Sequence, residues 1–152
     1  MGIEEIIKEE RRKRMANEAL KALEETRFPE VTCILGELYE HGDIVEEDLE
    51  KAAELYRSGA DQGHAPSMQR LGHLYEEGRG VQQDLERAAS LYSAASDGGC
   101  RNAKISLGRL YDLGLGVEQS DQKAASLFGA AMDGGGPLDN YDVGNMYYFG
   151  CG

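Results

Sequence analysis

The sequence predicts an all-α fold, an α-solenoid in which pairs of helices stack side by side with a period of 36 residues. Two sequence patterns recur at that spacing without an insertion. The first, Leu-Gly-x-Leu-Tyr or its variant Val-Gly-x-Met-Tyr, begins at Leu35, Leu71, Leu107 and Val143. The second, Ala-Ala-x-Leu followed by Tyr or Phe, begins at Ala52, Ala88 and Ala124. No segment shows the apolar and polar alternation of a half-buried strand.

The first pattern belongs to the first helix of each pair. Val31, Leu35 and Leu38 follow the i, i+4, i+7 spacing of one apolar helical stripe. A left-handed residue that ends this helix is predicted at Gly42, Gly78 and Gly114. A proline suited to the first helical turn, where the missing N–H costs little, stands at Pro29, Pro66 and Pro137.

The second pattern belongs to the second helix of each pair. An N-cap residue with a side-chain oxygen precedes it at Asp48, Asp84 and Ser120. The helix is predicted to end near Gly63, Gly99 and Gly135. Each first helix carries an interior glycine, at a cost of about 1 kcal/mol relative to alanine. We expect close approach to the alanines of the second helix to offset this cost, with Gly36, Gly72 and Gly108 facing Ala52, Ala88 and Ala124.

The two ends of the chain depart from the repeat. Residues 1–29 are predicted to form an N-terminal capping helix, a degenerate half-repeat, because Ala16, Ala19, Leu20 and Leu23 align with the second-helix pattern. Residues 30–152 are predicted to form three full repeats and the first helix of a fourth. That last helix lacks a partner helix. The sequence is then either a fragment of a longer protein, the reading we favour, or a chain that self-associates through its uncapped C-terminal helix.

Charge and composition exclude several classes of partner. The formal net charge is −12, and a surface this acidic argues against nucleic acids and anionic membranes, which need a basic footprint. No apolar run approaches the roughly 18 residues of a membrane-spanning helix. Three cysteines at irregular spacing favour reduced thiols, and with no visible signal peptide they predict a cytoplasmic location. A signal peptide already removed would instead permit secretion or an endoplasmic reticulum lumen.

These patterns resemble the Sel-one-like repeat (SLR) family, relatives of the tetratricopeptide repeat. Gly78-Arg79-Gly80-Val81 and Gly114-Leu115-Gly116-Val117 match the family's Gly-x-Gly-Val segment, whereas the first repeat has Ile44 in place of the second glycine. The resemblance covers residues 30–152. It implies a right-handed superhelix of helix hairpins, whose known members are mostly adaptors that hold other proteins together.

The residue patterns typical of catalysis or metal binding are better explained by the repeat. Ser120 and Lys123 form a Ser-x-x-Lys pattern, but Ser120 occupies the N-cap position of Asp48 and Asp84. The three histidines and Cys33 lack any zinc-ligand spacing, and His73 is predicted to lie on an exposed face. We therefore predict no catalytic residue, cofactor or metal.

What remains is a surface. Positions on the first helices that the repeat does not dictate differ from unit to unit, and in related solenoids these helices line a concave groove. The alternative is that these positions are merely unconstrained. The candidate protein-binding residues are Glu37, Glu40, His73, Glu76, Arg109, Asp112, Asn145 and Tyr148.

The predicted function is a non-catalytic protein–protein interaction scaffold or adaptor. Residues 30–65 hold ten acidic and two basic residues, which favours a partner with a basic segment, although solubility alone would also explain the charge. One alternative is a regulatory or assembly segment of a larger enzyme or complex. A less favoured one is a penicillin-interacting hydrolase like that claimed for cysteine-rich relatives, whose paired cysteines this chain lacks.

Overall fold

The computed structural model describes residues 2–133, and within them every regular element is an α-helix. Helix α1 has 22 residues, and each helix that follows it has 13. The helices are α1 (Ile3–Glu24), α2 (Pro29–His41), α3 (Leu49–Asp61), α4 (Ala65–Glu77), α5 (Leu85–Asp97), α6 (Arg101–Leu113) and α7 (Asp121–Asp133). The predicted all-α stack is confirmed. The predicted helix of the fourth repeat, with Asn145 and Tyr148, lies outside the described residues.

Each hairpin packs against the next through its second helix. Helices α2 and α3, α4 and α5, and α6 and α7 form the hairpins, while α3 contacts α4 and α5 contacts α6. Helix α1 packs on α2, where its Leu20, 7% exposed, joins Leu35 and Leu55 in a core cluster. Leu20 stands 36 residues before Tyr56, and the assignment of α1 as a degenerate half-repeat stays a prediction from this spacing.

The helix ends follow the predicted capping chemistry. Asp48 and Asp84 each accept a hydrogen bond at 3.0 Å from a backbone N–H three residues on, and Ser120 Oγ accepts one at 3.3 Å from Lys123. These bonds satisfy amides that would otherwise lack a partner in the first helical turn. The left-handed residues that end the first helices are Gly42, Gly78 and Gly114, with φ of 71°, 67° and 67°.

The interior glycines face aromatic rings, not alanines. A Cβ atom placed on Gly36 would lie 2.5 Å from the Tyr56 ring, and one placed on Gly72 would lie 2.6 Å from the Tyr92 ring. Phe128 takes the same position at 2.8 Å over the third such glycine. The expectation of a glycine–alanine contact is therefore wrong in its partner. Seating a buried ring against the bare backbone stabilises by about 1.5–3 kcal/mol, which outweighs the helical cost of the glycine.

The loops inside the hairpins also carry contacts between repeats. Gly80 has φ of 70° and lies so close to the backbone of Leu49, at the start of the preceding second helix, that no Cβ atom would fit. Gly116 repeats this arrangement against Leu85. The corresponding residue of the first repeat is Ile44, which is 56% exposed. Helix α1 is uninterrupted from Ile3 to Glu24, so Lys13, which stands 36 residues before Leu49, lies inside a helix and not at a helix start.

Replacing Gly72 should test the seating of the ring. Gly72→Ala should lower the free energy of unfolding by about 1–3 kcal/mol, and Gly72→Leu by at least as much, because the buried Tyr92 ring occupies the space of the new side chain. The matched control is Gly129→Ala inside α7, where a Cβ meets nothing within 4 Å and should stabilise by about 1 kcal/mol. Urea denaturation followed by circular dichroism measures all three. Equal stability of Gly72→Ala and Gly129→Ala would contradict the assignment.

Candidate partner-binding surface

Within residues 2–133, the predicted binding residues lie on the first helices α2, α4 and α6, which ion pairs join across the repeat boundaries. Between α2 and the second repeat, Arg70 Nη2 is 2.8 Å from Glu37 Oε1, and Arg79 Nη1 is 3.1 Å from Glu40 Oε1. Arg79 stands in the loop after α4. The exposed residues of these three helices are called the first-helix surface below. Because side chains connect its helices directly, the surface is continuous from one repeat to the next.

The second and third repeats are joined in the same manner. Arg109 of α6 forms an ion pair with Glu76 of α4. Glu76 is also bound within its own hairpin, since the Tyr92 hydroxyl of α5 donates to its Oε2 at 2.7 Å. One repeat earlier, the Tyr56 hydroxyl donates to Glu40 Oε2 at 2.6 Å. Each carboxylate therefore links the interior of its own hairpin to the cation of the following repeat.

Burial makes these carboxylates part of the framework. The side chains of Glu37, Glu40 and Glu76 are 12%, 11% and 16% exposed. Burial raises the pKa of Glu37 above its usual range, against the lowering effect of Arg70. The acidic excess of the first repeat is thus partly offset by arginines of the second. Whether these glutamates contact a partner remains a prediction.

His73 is half-buried, so its predicted exposed position is wrong. Its side chain is 37% exposed, and Nδ1 lies 3.0 Å from the Tyr92 hydroxyl. Because that hydroxyl donates to Glu76, we assign the imidazole proton to Nδ1, from which His73 donates to the tyrosine oxygen. Burial lowers the pKa of His73 below its usual value, although Glu76 and Glu77 act in the opposite direction.

The remaining candidates are the more accessible ones. Arg109 has a side chain that is 49% exposed, and Asp112 is exposed on the same helix. Asn145 and Tyr148 lie outside the described residues. The structure thus divides the described candidates into half-buried framework residues and open surface residues, a division that the repeat pattern alone did not reveal.

Sequence reasoning missed the partners of the glutamates, although one signal was present. Glu and Tyr recur together 16 residues apart, as Glu40 with Tyr56 and Glu76 with Tyr92. In the third repeat both change together, to Asp112 and Phe128. Phe128 has no hydroxyl to donate, and Asp112 is shorter than glutamate. The joint change therefore indicates that the residues at these two positions are hydrogen-bonded in the other repeats.

The cysteines only partly meet the expectation of reduced thiols. Cys33 is a free thiol, 6% exposed, and burial raises its pKa to about 11, which leaves it a weak nucleophile and metal ligand. Cys100 is disulfide-bonded, so for that residue the expectation is wrong. Within residues 2–133 no cluster of three or more His, Cys, Asp or Glu side chains could hold a metal ion. The same stretch contains no helix with the length and apolar character to cross a membrane.

Comparison with known proteins decides the family. Three successive stretches of the chain, residues 29–64, 65–100 and 102–135, match the Sel1 repeat. The chain belongs to the Sel1 repeat family. The recurring patterns found in the sequence are therefore Sel1 repeats, which generally serve as protein-interaction scaffolds.

Two solved structures illustrate the similarity. A protective antigen of uropathogenic Escherichia coli strains, which displays an SLR fold, is 31% identical with a TM-score of 0.75, over 88% of this chain and 28% of that one. A Sel1 repeat protein from Oxalobacter formigenes is 26% identical with a TM-score of 0.73, over 95% of this chain and 59% of that one. This chain therefore spans less than two thirds of either relative. No curated protein matches it.

The Tyr92–Glu76 hydrogen bond should contribute measurably to stability. Tyr92→Phe keeps the ring but removes the donor to a largely buried carboxylate, and should lower the free energy of unfolding by about 1.5–3 kcal/mol. Combining it with Glu76→Gln in a double-mutant cycle should give a smaller loss than the sum of the single changes. Tyr111→Phe in the third Sel1 repeat is the control and should be nearly neutral. Strict additivity in the cycle would show that the pair is not coupled.

His73 should make stability depend on pH. Its folded pKa lies below the unfolded value of 6.5, so the unfolded chain binds more protons, and stability should fall as the pH drops through 6.5. His64, whose pKa burial also lowers, acts in the same direction. His73→Gln should therefore flatten the decline only in part. Urea midpoints of both proteins between pH 5 and 8 measure this, and parallel curves would rule out a contribution from His73.

Proposed function

We propose that the array is a non-catalytic adaptor that binds a partner protein along the first-helix surface. One observation carries the proposal: at equivalent positions of the three repeats, the buried residues keep their chemical character, whereas the exposed residues change it. The ring positions inside the hairpins remain aromatic, as Tyr56, Tyr92 and Phe128. The last residues of the three first helices are all exposed, yet their chemistry changes from imidazole to carboxylate to alkyl, at His41, Glu77 and Leu113.

Helices at a constant spacing that expose different side chains in each repeat suit recognition of an extended peptide or a helix. The ion pairs of Arg70 with Glu37 and of Arg109 with Glu76 support this function by holding the first helices in place before a partner arrives. Less ordering entropy is then lost on binding. An apolar contact at Leu113, which is 58% exposed, together with polar contacts at Arg109 and Asp112, would give one register of the partner an advantage.

A basic segment in the partner fits the first repeat. Glu37 and Glu40 are already paired with arginines, whereas Asp43, Glu46 and Glu47 of the loop between α2 and α3 are exposed and could meet a basic segment. These carboxylates would speed association with a basic segment at low salt more than they would strengthen the final complex.

Site-specific photocrosslinking tests the proposal. A photoreactive phenylalanine analogue placed singly at 41, 77 and 113 should give adducts with the same partner in living cells, since all three positions lie on the first-helix surface. The matched controls are Ala94 and Ala130, equivalent exposed positions on the second helices α5 and α7. Adducts of equal yield at the control positions, or none at the first-helix positions, would refute binding along this surface.

A further inference from the structure

A polar cleft of about 440 Å³ opens where α3, α4, the loop after α4 and the start of α5 meet. Two arginines converge there on one tyrosine. Arg57 Nη2 lies 3.1 Å from the Tyr75 hydroxyl oxygen, and Arg87 Nη1 lies 3.2 Å from it. Two guanidinium groups on one neutral oxygen repel each other, and an anion beside them would relieve that repulsion.

The tyrosine is set up to donate. Its oxygen accepts from both arginines, and within residues 2–133 its own proton has no acceptor. Burial alone would raise the pKa of Tyr75, but the hydrogen bonds and the positive charges of Arg87 and Arg57 together lower it. Asp84 also lines the cleft: its Oδ1 accepts the backbone N–H of Arg87 as the cap of α5, and its Oδ2 lies 3.9 Å from Arg87 Nε. Among the described residues Arg57 forms no ion pair, and its guanidinium donates to the Tyr75 hydroxyl.

The first repeat shows the same corner with an anion in it. Tyr39 and Lys51 stand 36 residues before Tyr75 and Arg87. The Tyr39 hydroxyl donates to Glu24 Oε1 at 3.1 Å, and Lys51 Nζ lies 3.3 Å from Glu24 Oε2. Glu24 belongs to α1, and its carboxylate is bound jointly by the tyrosine hydroxyl and the lysine ammonium group.

The second repeat keeps the tyrosine and the cation but has no carboxylate at the position of Glu24. The residue 36 positions after Glu24 is Ala60. Arg57 stands 36 residues after Lys21, so both corners have a second cation, whereas the third repeat has Ser93 there. The cleft thus has the donors of an occupied carboxylate site, and among the described residues no carboxylate takes the place of Glu24.

We propose that the cleft formed by Arg57, Tyr75 and Arg87 binds a carboxylate supplied from outside the chain. The two guanidinium groups provide charge-assisted hydrogen bonds, and the tyrosine provides the third donor that Tyr39 gives to Glu24. The site is independent of the adaptor function. Its ligand is either a free carboxylic acid or an acidic side chain of a peptide, and the two sources share this chemistry.

Titration of the full chain with two carboxylate probes tests the site. The probes are sodium acetate and the blocked peptide acetyl-Ala-Glu-Ala-amide, added at constant ionic strength while the arginine Nε–Hε resonances are followed by NMR. Saturable shifts of Arg57 and Arg87 are expected with both probes. Peptide affinity more than about threefold above that of acetate identifies a peptide-borne ligand, and equal affinities identify a free acid. Shifts no larger than those from sodium chloride would overturn the proposal.

Variants of the two arginines supply the specificity control. Arg57→Gln and Arg87→Gln should each weaken acetate binding at least about tenfold, while Arg12→Gln on the exposed face of α1 should leave it unchanged. Both arginines of the cleft are exposed, so the far-ultraviolet circular dichroism should not change. Wild-type affinity in both cleft variants, or displacement of acetate by inorganic phosphate at equal concentration, would overturn the assignment to carboxylate.

Supplying the missing carboxylate from inside gives an independent test. Ala60→Glu places an acid at the position that Glu24 holds in the first repeat, and should abolish acetate binding by occupying the cleft. Ala60→Gln is the matched neutral control and should retain most of the affinity. Acetate binding by Ala60→Glu at wild-type strength would show that the two corners are not equivalent and that the cleft is not a carboxylate site.

Discussion

The seating of an aromatic ring against a bare stretch of helix is the contact on which the rest of the stack depends. A glycine in the first helix leaves a notch, and Tyr56 or Tyr92 fills it from the second helix with no exposed surface. The ring fixes the separation and rotation of the two helices. Its hydroxyl then emerges beside a glutamate, which is why the carboxylate lies within reach of the arginine from the next repeat. One steric arrangement thereby determines both the hairpin and the joint between hairpins.

Much of this architecture could be predicted from the sequence because it is periodic. Helix ends, caps and the side-by-side order follow from residue types that recur every 36 positions, and Leu20 of α1 packs against the first hairpin. The partner of each interior glycine was not predictable in the same way. Spacing identifies the face of a helix, but the side chain that reaches a notch depends on the rotation of the facing helix, and small alanines and a long ring are equally compatible with the pattern.

The candidate site was predicted less well for a related reason. Glu37, Glu40 and Glu76 are charged, and the residue at the Glu37 position differs from repeat to repeat. Both properties are typical of a solvent-exposed surface. Their arginine partners lie 33 or 39 residues away, so no single repeat shows the pairing. The cleft at Tyr75 was not predicted, because it is recognised as a candidate carboxylate site only when its contacts are compared with those of the first repeat. Only the carboxylate of Glu24 in the first corner makes its absence from the second informative.

The ion pairs across the repeat boundaries join a glutamate of one repeat to an arginine of the next, and this offset specifies the order in which the hairpins stack. Each hairpin has nearly the same core, so a misfolded chain could stack the first hairpin directly on the third, or exchange hairpins with a second molecule, at little cost in apolar contact. In that arrangement Glu37 would meet Ser106 where it now meets Arg70, and Glu40 would meet Leu115 in place of Arg79. Two largely buried carboxylates would lose their counter-ions, a penalty that falls on wrong neighbours alone. Identical cores make the hairpins easy to stack, and unlike charges keep them in order.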